Sequence, residues 1–374
     1  MKLEGLRVVD LSVFLPGPYL TMTLADHGAS VLKIEPPGGD PAREIGPRVE
    51  GETVFFRNVN RGKESIVVDL KEPGGREHVL KLCDEADVVV ETFRPGVVNR
   101  LGVDYETVSA RNPRVVYCSI SAFGQDGPYR DRPAHDLAVE ALGGSISINE
   151  GQDGQPTIPG IPAADMLASL QAFGGVMMAL LRRERTGRGD YLDISMYDAV
   201  LAAYPNVLGP VIAHGRDPVP KHERSMGGSA FYRIYPTADG RHIVLGGQEV
   251  KFIRNLLTAL ERPELATLCE RGPGPHQAPV VAFLAETFAQ RTQAQWEQWF
   301  VGRDICFAPV KSLSEALDDP HARHRGMVLG KGETRLIGSA IKFRNEPANP
   351  RLTVPRLPDA VTREAAAQSS GAGT

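Results

Sequence analysis

Residues 6–35 read LRVVDLSVFLPGPYLTMTLADHGASVLKIE. Leu6–Ser12 and Ser30–Glu35 are short apolar runs of strand length. Between them, Pro16–Gly28 opens with proline and closes with glycine, as helices do. A strand, a helix and a second strand in immediate succession imply parallel pairing through a right-handed crossover. The alternation continues outward, with strands at Ser65–Leu70, Val88–Phe93 and Arg114–Ser121 and an amphipathic helix at Gly74–Ala86. Together these segments predict an α/β protein built on an open, doubly wound parallel sheet.

Past Gly124 the texture changes. Helical patterns cover Ala134–Leu142 and Asp165–Arg185, and Tyr191–Met196 returns to strand. A hairpin pattern follows, Phe231–Tyr235 and His242–Gly246 about an Asp239-Gly240 turn. This predicts a large α/β domain over residues 1–200 and a smaller α+β domain over 204–303. The chain is then expected to return to the large domain over 304–350 and to end in a loosely ordered tail, 355–374. The apolar stretch Met166–Leu181 is interrupted by Ser169, Gln171, Gly174 and Gly175, so it reads as a core helix and not a bilayer span.

The composition is that of an ordinary globular chain, 42% hydrophobic and 24% charged in 374 residues. A net charge of −4 without a basic block argues against nucleic acid as a partner. Four cysteines, far apart and with no CxxC, read as reduced thiols in a cytoplasmic protein. No signal peptide or membrane span is expected. Strand one runs into Leu11-Ser12-Val13-Phe14-Leu15-Pro16 and not into GxGxxG, which disfavours a dinucleotide site. There is no Walker A loop, no GxSxG elbow and no clustered His/Cys metal set.

What the chain does contain is Val9-Asp10-Leu11-Ser12 leading to Gly17-Pro18-Tyr19, then Asn60-Arg61-Gly62-Lys63-Glu64-Ser65 with Asp69-Leu70-Lys71, and Glu91-Thr92-Phe93-Arg94-Pro95-Gly96. Asn112-Pro113-Arg114, Phe123–Pro128, Arg185–Gly189 with Asp193, Ala308-Pro309-Val310 and Asp319-Pro320 to Arg325-Gly326 follow in order. Over roughly residues 1 to 345 this set resembles the CaiB/BaiF superfamily of family III CoA-transferases, which includes 2-methylacyl-CoA racemases. The resemblance implies that fold, an acyl-CoA substrate held by the large domain, no cofactor beyond its coenzyme A, no metal, and an interlocked homodimer.

A polyanion such as CoA needs guanidinium groups, and Arg94 and Arg100 follow a strand end in a turn held by Pro95 and Gly96. The resemblance places Thr92, Phe93, Arg94 and Arg100 along the CoA chain and adds Leu70, in its second motif, to the CoA-binding candidates. Family members often carry a basic residue directly after the Ile34-Glu35 position; Pro36 stands there, and Arg43 is the substitute considered.

Asp165, starting a long helix after Pro162, reads locally as an N-cap. By resemblance it falls where transferases keep a nucleophilic aspartate and racemases an acid/base group. His135 stands where racemases have histidine followed by aspartate, here Asp136, and Glu249 where they have a glutamate. The racemase reading, α-proton exchange of a 2-methyl-branched acyl-CoA in lipid metabolism, ranks first on that set. The second reading is a transferase moving CoA to a carboxylic acid acceptor through an Asp165 anhydride and thioester. Tyr117–Ser121, Gly127-Pro128-Tyr129 and Ala163-Ala164-Asp165 look more like transferases, and Met166-Leu167-Ala168-Ser169 replaces the glycines racemases have there. A non-catalytic CoA-binding protein is the third.

Overall fold

A computed structural model describes residues 1–151 and 153–357. Most of the expected tail, from residue 358 on, lies outside the described residues. The chain divides into two compact units. The first comprises Met1–Gly143, Gly160–Ala203 and the chain from Asp319 onward; the second comprises Gly144–Pro159 and Tyr204–Asp318.

In the first unit, strands β1 (Arg7–Asp10), β2 (Ser30–Glu35), β3 (Glu64–Val67), β4 (Val88–Glu91), β5 (Val116–Ser121) and β6 (Asp190–Ser195) form one sheet. Their order is β3-β2-β1-β4-β5-β6 and every pairing is parallel. The strand order therefore reverses between β1 and β4, which opens a crevice at the carboxyl ends of those strands. Helix α1 (Pro16–Asp26) joins β1 to β2. A Cβ on its Gly17 would stand 2.2 Å from the Ser12 Cβ and 2.8 Å from a Thr92 methyl carbon, so only glycine lets this helix start so close to the crevice.

One face of the sheet is sealed by α2 (Pro73–Asp84), whose Val79, Leu80 and Cys83 pack with Val9, Val89 and Tyr117. Short helix α3 (Val97–Leu101) and α4 (Asp136–Leu142) precede the longest helix, α5 (Ala163–Thr186). Helix α5 is long and apolar enough to cross a bilayer, but it packs on β5, β6 and α1. Its buried stripe is small: Ala164, Ala168, Ala172, Gly175 and Ala179 recur three to four residues apart. Arg183 ends that stripe, paired with Asp87 at 2.8 Å.

The second unit holds an antiparallel sheet of β7 (Arg233–Pro236), β8 (His242–Leu245) and β9 (Phe307–Pro309), in the order β9-β8-β7. The expected hairpin is present, turned at Gly240 with φ 73°. Helices α6 (Val250–Ala259), α7 (Ala278–Phe288) and α8 (Gln293–Phe300) enclose an aromatic core of Tyr235, Phe288, Trp296 and Phe300. Phe307 stacks on Phe300 with ring centroids 3.9 Å apart. Because β9 pairs with β8, the segment from 304 belongs with this unit, and the chain returns to the first at Asp319. The return expected at 304 thus comes at Asp319, since the pairing of β9 with β8 is not a local feature of the sequence.

Four charges are buried around β1. Lys63 Nζ donates to Asp10 Oδ2 at 2.9 Å, to Asn60 Oδ1 and to the Pro18 carbonyl. Lys33 Nζ pairs with Asp40 at 2.9 Å and donates to the Ser12 carbonyl at 2.7 Å. All four side chains are fully enclosed. Burial by itself would raise the Asp10 carboxyl, but the Lys63 and Lys33 ammoniums and the Ser12 and Thr21 hydroxyls outweigh it and hold it well below the usual range. Replacing one member strands its partner without solvent. Lys63→Met should lower the unfolding free energy by about 3–5 kcal/mol in urea titration, and adding Asp10→Asn should recover most of that loss.

Candidate active site

A pocket of about 390 Å³ lies at the crevice where the strand order reverses. Val13 and Phe14 enter it from the end of β1, Thr92–Pro95 from β4, Ser121–Phe123 from β5 and Met196 from β6. Arg130, Arg132, Ala134 and His135 come from the loop before α4, and Asp165 from the first turn of α5. Val13 N donates to Thr92 Oγ1 at 2.9 Å, which ties the loops of β1 and β4 together, and within the second loop Phe93 N donates to the buried Glu91 carboxylate at 2.7 Å. Burial pushes the Glu91 carboxyl up to about 7, against the hydrogen bonds from Ser119 and Phe93.

Asp165 is not an N-cap. Pro162 occupies that position, and carboxylates of α4 cap the helix instead. Glu140 Oε1 accepts from Ala163 N at 3.0 Å, and Asp136 Oδ1 accepts from Asp165 N at 3.1 Å. Asp136 also accepts from Ala164 N, and Met166 N bonds the Pro162 carbonyl. The opening N–H groups of α5 are thus satisfied, and the Asp165 carboxylate stands at the pocket with no hydrogen-bond partner among the described residues. Spacing i, i+4 puts Asp136 and Glu140 on one face of α4, directed at this helix end.

Three carboxyl groups, Asp136, Glu140 and Asp165, now share one neighbourhood. Burial first, then the Asp136 and Glu140 charges, push Asp165 up to about 7. Burial and Glu140 raise Asp136 to about 6. A carboxylate of that basicity is a stronger nucleophile and base than an ordinary aspartate, and still partly ionised at neutral pH.

Of the residues named from sequence, Thr92, Phe93, Arg94, His135 and Asp165 meet in this one pocket. Arg100, on α3, is exposed and outside its lining, beside Gly96. Leu70 packs against the core of the first unit. Arg43, considered for an adenine-side contact, is buried, pairs bidentately with Glu35 and again with Glu52, and its guanidinium lies 3.7 Å from the centre of the Phe56 ring. Glu249 belongs to the second unit, as the N-cap of α6, and forms no part of the lining.

Phe14, Arg130, Arg132 and Met196 line the pocket too, and sequence reading passed over them. The signal was available, since each follows the carboxyl end of a parallel strand or sits beside a quoted motif. Arg94 and Arg132 have no carboxylate partner among the described residues; Arg132 lies over the Tyr129 ring instead, at 5.3 Å. Unpaired guanidiniums at a pocket suit anionic ligands.

The raised Asp165 carboxyl has a stability consequence. Between an ordinary unfolded value of about 4 and the folded value of about 7, the native state keeps a proton that the unfolded chain releases. Stability therefore falls as pH rises through that window. Asp165→Asn should stabilise the protein at pH 8 by on the order of 4 kcal/mol, and by nothing below about pH 4, in denaturant titrations run across pH.

The family model for CoA-transferase family III matches residues 3–359. The chain is 33% identical over 362 residues to succinyl-CoA:glutarate CoA-transferase of Mus musculus, spanning 93% of this chain and 83% of that one. It is 34% identical to acetyl-CoA:oxalate CoA-transferase of Acetobacter aceti, spanning 93% and 92%. With succinyl-CoA–D-citramalate CoA-transferase of Chloroflexus aurantiacus it shares 35% identity over 95% of this chain and 87% of that one. Among solved structures, a CaiB/BaiF family protein from Brucella suis superposes with a TM-score of 0.85 at 30% identity, covering 98% of each chain. With this fold, this strand order and a match along nearly its whole length, the chain is an enzyme belonging to CoA-transferase family III.

Proposed function

We propose that the enzyme transfers coenzyme A from an acyl-CoA to a carboxylic acid, with Asp165 as nucleophile. The observation that carries this reading is the Asp165 carboxylate itself, set at the pocket and left without a hydrogen-bond partner because Asp136 and Glu140 cap its helix. A carboxylate oxygen of Asp165 attacks the thioester carbonyl carbon; the C–S bond breaks and CoA leaves as thiolate, forming a mixed anhydride. The thiolate then attacks the aspartyl carbonyl, releasing the donor acid and leaving an Asp165 thioester. The acceptor carboxylate attacks that thioester, and the thiolate takes the acceptor's acyl group from the second anhydride, restoring Asp165.

The ranking of the sequence reading is thereby reversed. Racemisation needs N–H donors for an enolate oxygen, and those at the start of α5 are engaged by Asp136 and Glu140. The named relatives, all CoA-transferases, favour transfer as well. Their names specify glutarate, oxalate and D-citramalate, so we infer a dicarboxylic acid as acceptor. Arg94 then serves the CoA phosphates, and Arg132 and His135 the acceptor carboxylate. We further propose that no cofactor is needed beyond the CoA of the substrate, and that the reaction runs in the cytoplasm, where four free cysteines stay reduced.

Succinyl-CoA and glutarate, incubated with the protein and separated by liquid chromatography, should yield glutaryl-CoA or, with other diacids, the corresponding thioester. Hydroxylamine added with acyl-CoA should leave a hydroxamate at Asp165 by peptide mass spectrometry, and Asp165→Ala should lose turnover by about a thousandfold or more. Loss of the α-proton signal of a 2-methylacyl-CoA in D₂O, without adduct, would overturn transfer in favour of racemisation. Arg132→Met should raise the acceptor KM about tenfold, and Arg94→Met the acyl-CoA KM by a similar factor.

A further inference from the structure

Among the described residues, four other than glycine have a left-handed backbone: Phe14, Glu50, Lys221 and Glu261. The last three are exposed, and Phe14 alone is partly buried and lines the pocket. At φ 63° its Cβ crowds the backbone, a conformation that persists only where the surroundings impose it. Here they do so at three consecutive residues. The Ser12 carbonyl accepts from Lys33 Nζ at 2.7 Å, Val13 N donates to Thr92 Oγ1 at 2.9 Å, and Phe14 N donates to Asp40 Oδ1 at 3.3 Å. Asp40 is in turn fixed by its own buried pair with Lys33.

The strained residue presents its ring to His135. The rings meet edge to face, with centroids 5.9 Å apart and planes at 85°. His135 is exposed, and among the described residues its imidazole has no hydrogen-bond partner and no other ring contact. An edge-to-face ring pair has a preferred geometry, so the Phe14 ring biases the orientation of this pocket-lining imidazole. Thr92 and Asp40 hold Phe14, and Phe14 holds His135.

We propose that Phe14 is a positioning residue: its left-handed backbone, imposed by Asp40 and Thr92, aims an aromatic ring that orients His135 toward the acceptor carboxylate. The inference rests on the transfer reading for its acceptor half and on the ring geometry for its positioning half. No covalent step passes through Phe14. Its ring matters because a hydrogen bond to a carboxylate is directional, and a freely rotating exposed imidazole would lose that alignment.

The experiment uses the full chain with Phe14→Leu, Phe14→Gly and Phe14→Tyr. Two readouts are taken: the His135 Hε1 resonance in ¹³C-histidine-labelled protein, assigned with His135→Gln, and separate KM values for acyl-CoA and diacid. In Phe14→Leu the His135 signal should lose its ring-current shift, and the acceptor KM should rise about tenfold while the acyl-CoA KM moves less than about twofold. Phe14→Tyr should restore both. Phe14→Gly should repeat the kinetic defect while melting no lower than Phe14→Leu, because glycine accepts the left-handed backbone. An unmoved His135 signal in Phe14→Leu overturns the positioning role, and equal rises in both KM values make Phe14 a wall of the CoA site instead. If the wild-type protein forms no Asp165 adduct, the transfer reading falls and takes the acceptor half with it; the His135 resonance still decides the positioning half.

Discussion

Two lysine ammoniums enclosed at the carboxyl end of β1 set the terms for the rest of the molecule. Lys33 and Lys63 have no access to solvent, so each must find a carboxylate, and Asp40 and Asp10 supply them. Satisfying these charges fixes the loop that follows β1, because Lys33 also holds the Ser12 carbonyl and Asp40 also holds Phe14 N. The close start of α1 at Gly17 and the tie from Val13 to Thr92 then join that loop to the loop of β4. A crevice that any open α/β sheet would have becomes, through these bonds, a pocket of defined shape.

The other half of the site is built by capping. Carboxylates usually stabilise a helix N-terminus from within the first turn or from the residue before it. In this chain they come from a different helix, α4, and they reach α5 through the i, i+4 pair Asp136 and Glu140. The division of labour leaves Asp165 structurally unemployed, which is the condition for a side chain to do chemistry. Burial first, and then the neighbouring Asp136 and Glu140 charges, raise the proton affinity of Asp165, the acid that faces the pocket.

The sheet was legible in the sequence because its strands are local apolar runs punctuated by proline and glycine; β2 falls on Ser30–Glu35 as read. Asp165, His135 and Arg94 were legible through motifs, and the crevice through the general position of ligands on such sheets. Arg43 misled because a cation near a strand end looks the same in sequence whether it meets a ligand or, as here, Glu35 and Glu52. The capping of α5 by Asp136 and Glu140 was hidden because it joins residues 23 and 29 positions apart, a separation that no periodicity marks. The place of Phe14 at the carboxyl end of β1 was legible, but its left-handed backbone was not, because strain leaves no trace in residue type.

The crowding of Asp136, Glu140 and Asp165 bears on the energy profile of the whole cycle. On the transfer reading, every covalent intermediate turns the Asp165 carboxylate into an uncharged anhydride or thioester. The first acylation removes the Asp165 charge from beside Asp136 and Glu140, the anhydride and thioester interconvert without restoring it, and regeneration of free enzyme brings it back. The resting carboxylate is then the electrostatically least comfortable form of the protein, and acylation relieves it. Intermediates that would be uphill from an ordinary aspartate are brought closer to level with the free enzyme, so neither half of the exchange need fall into a deep well.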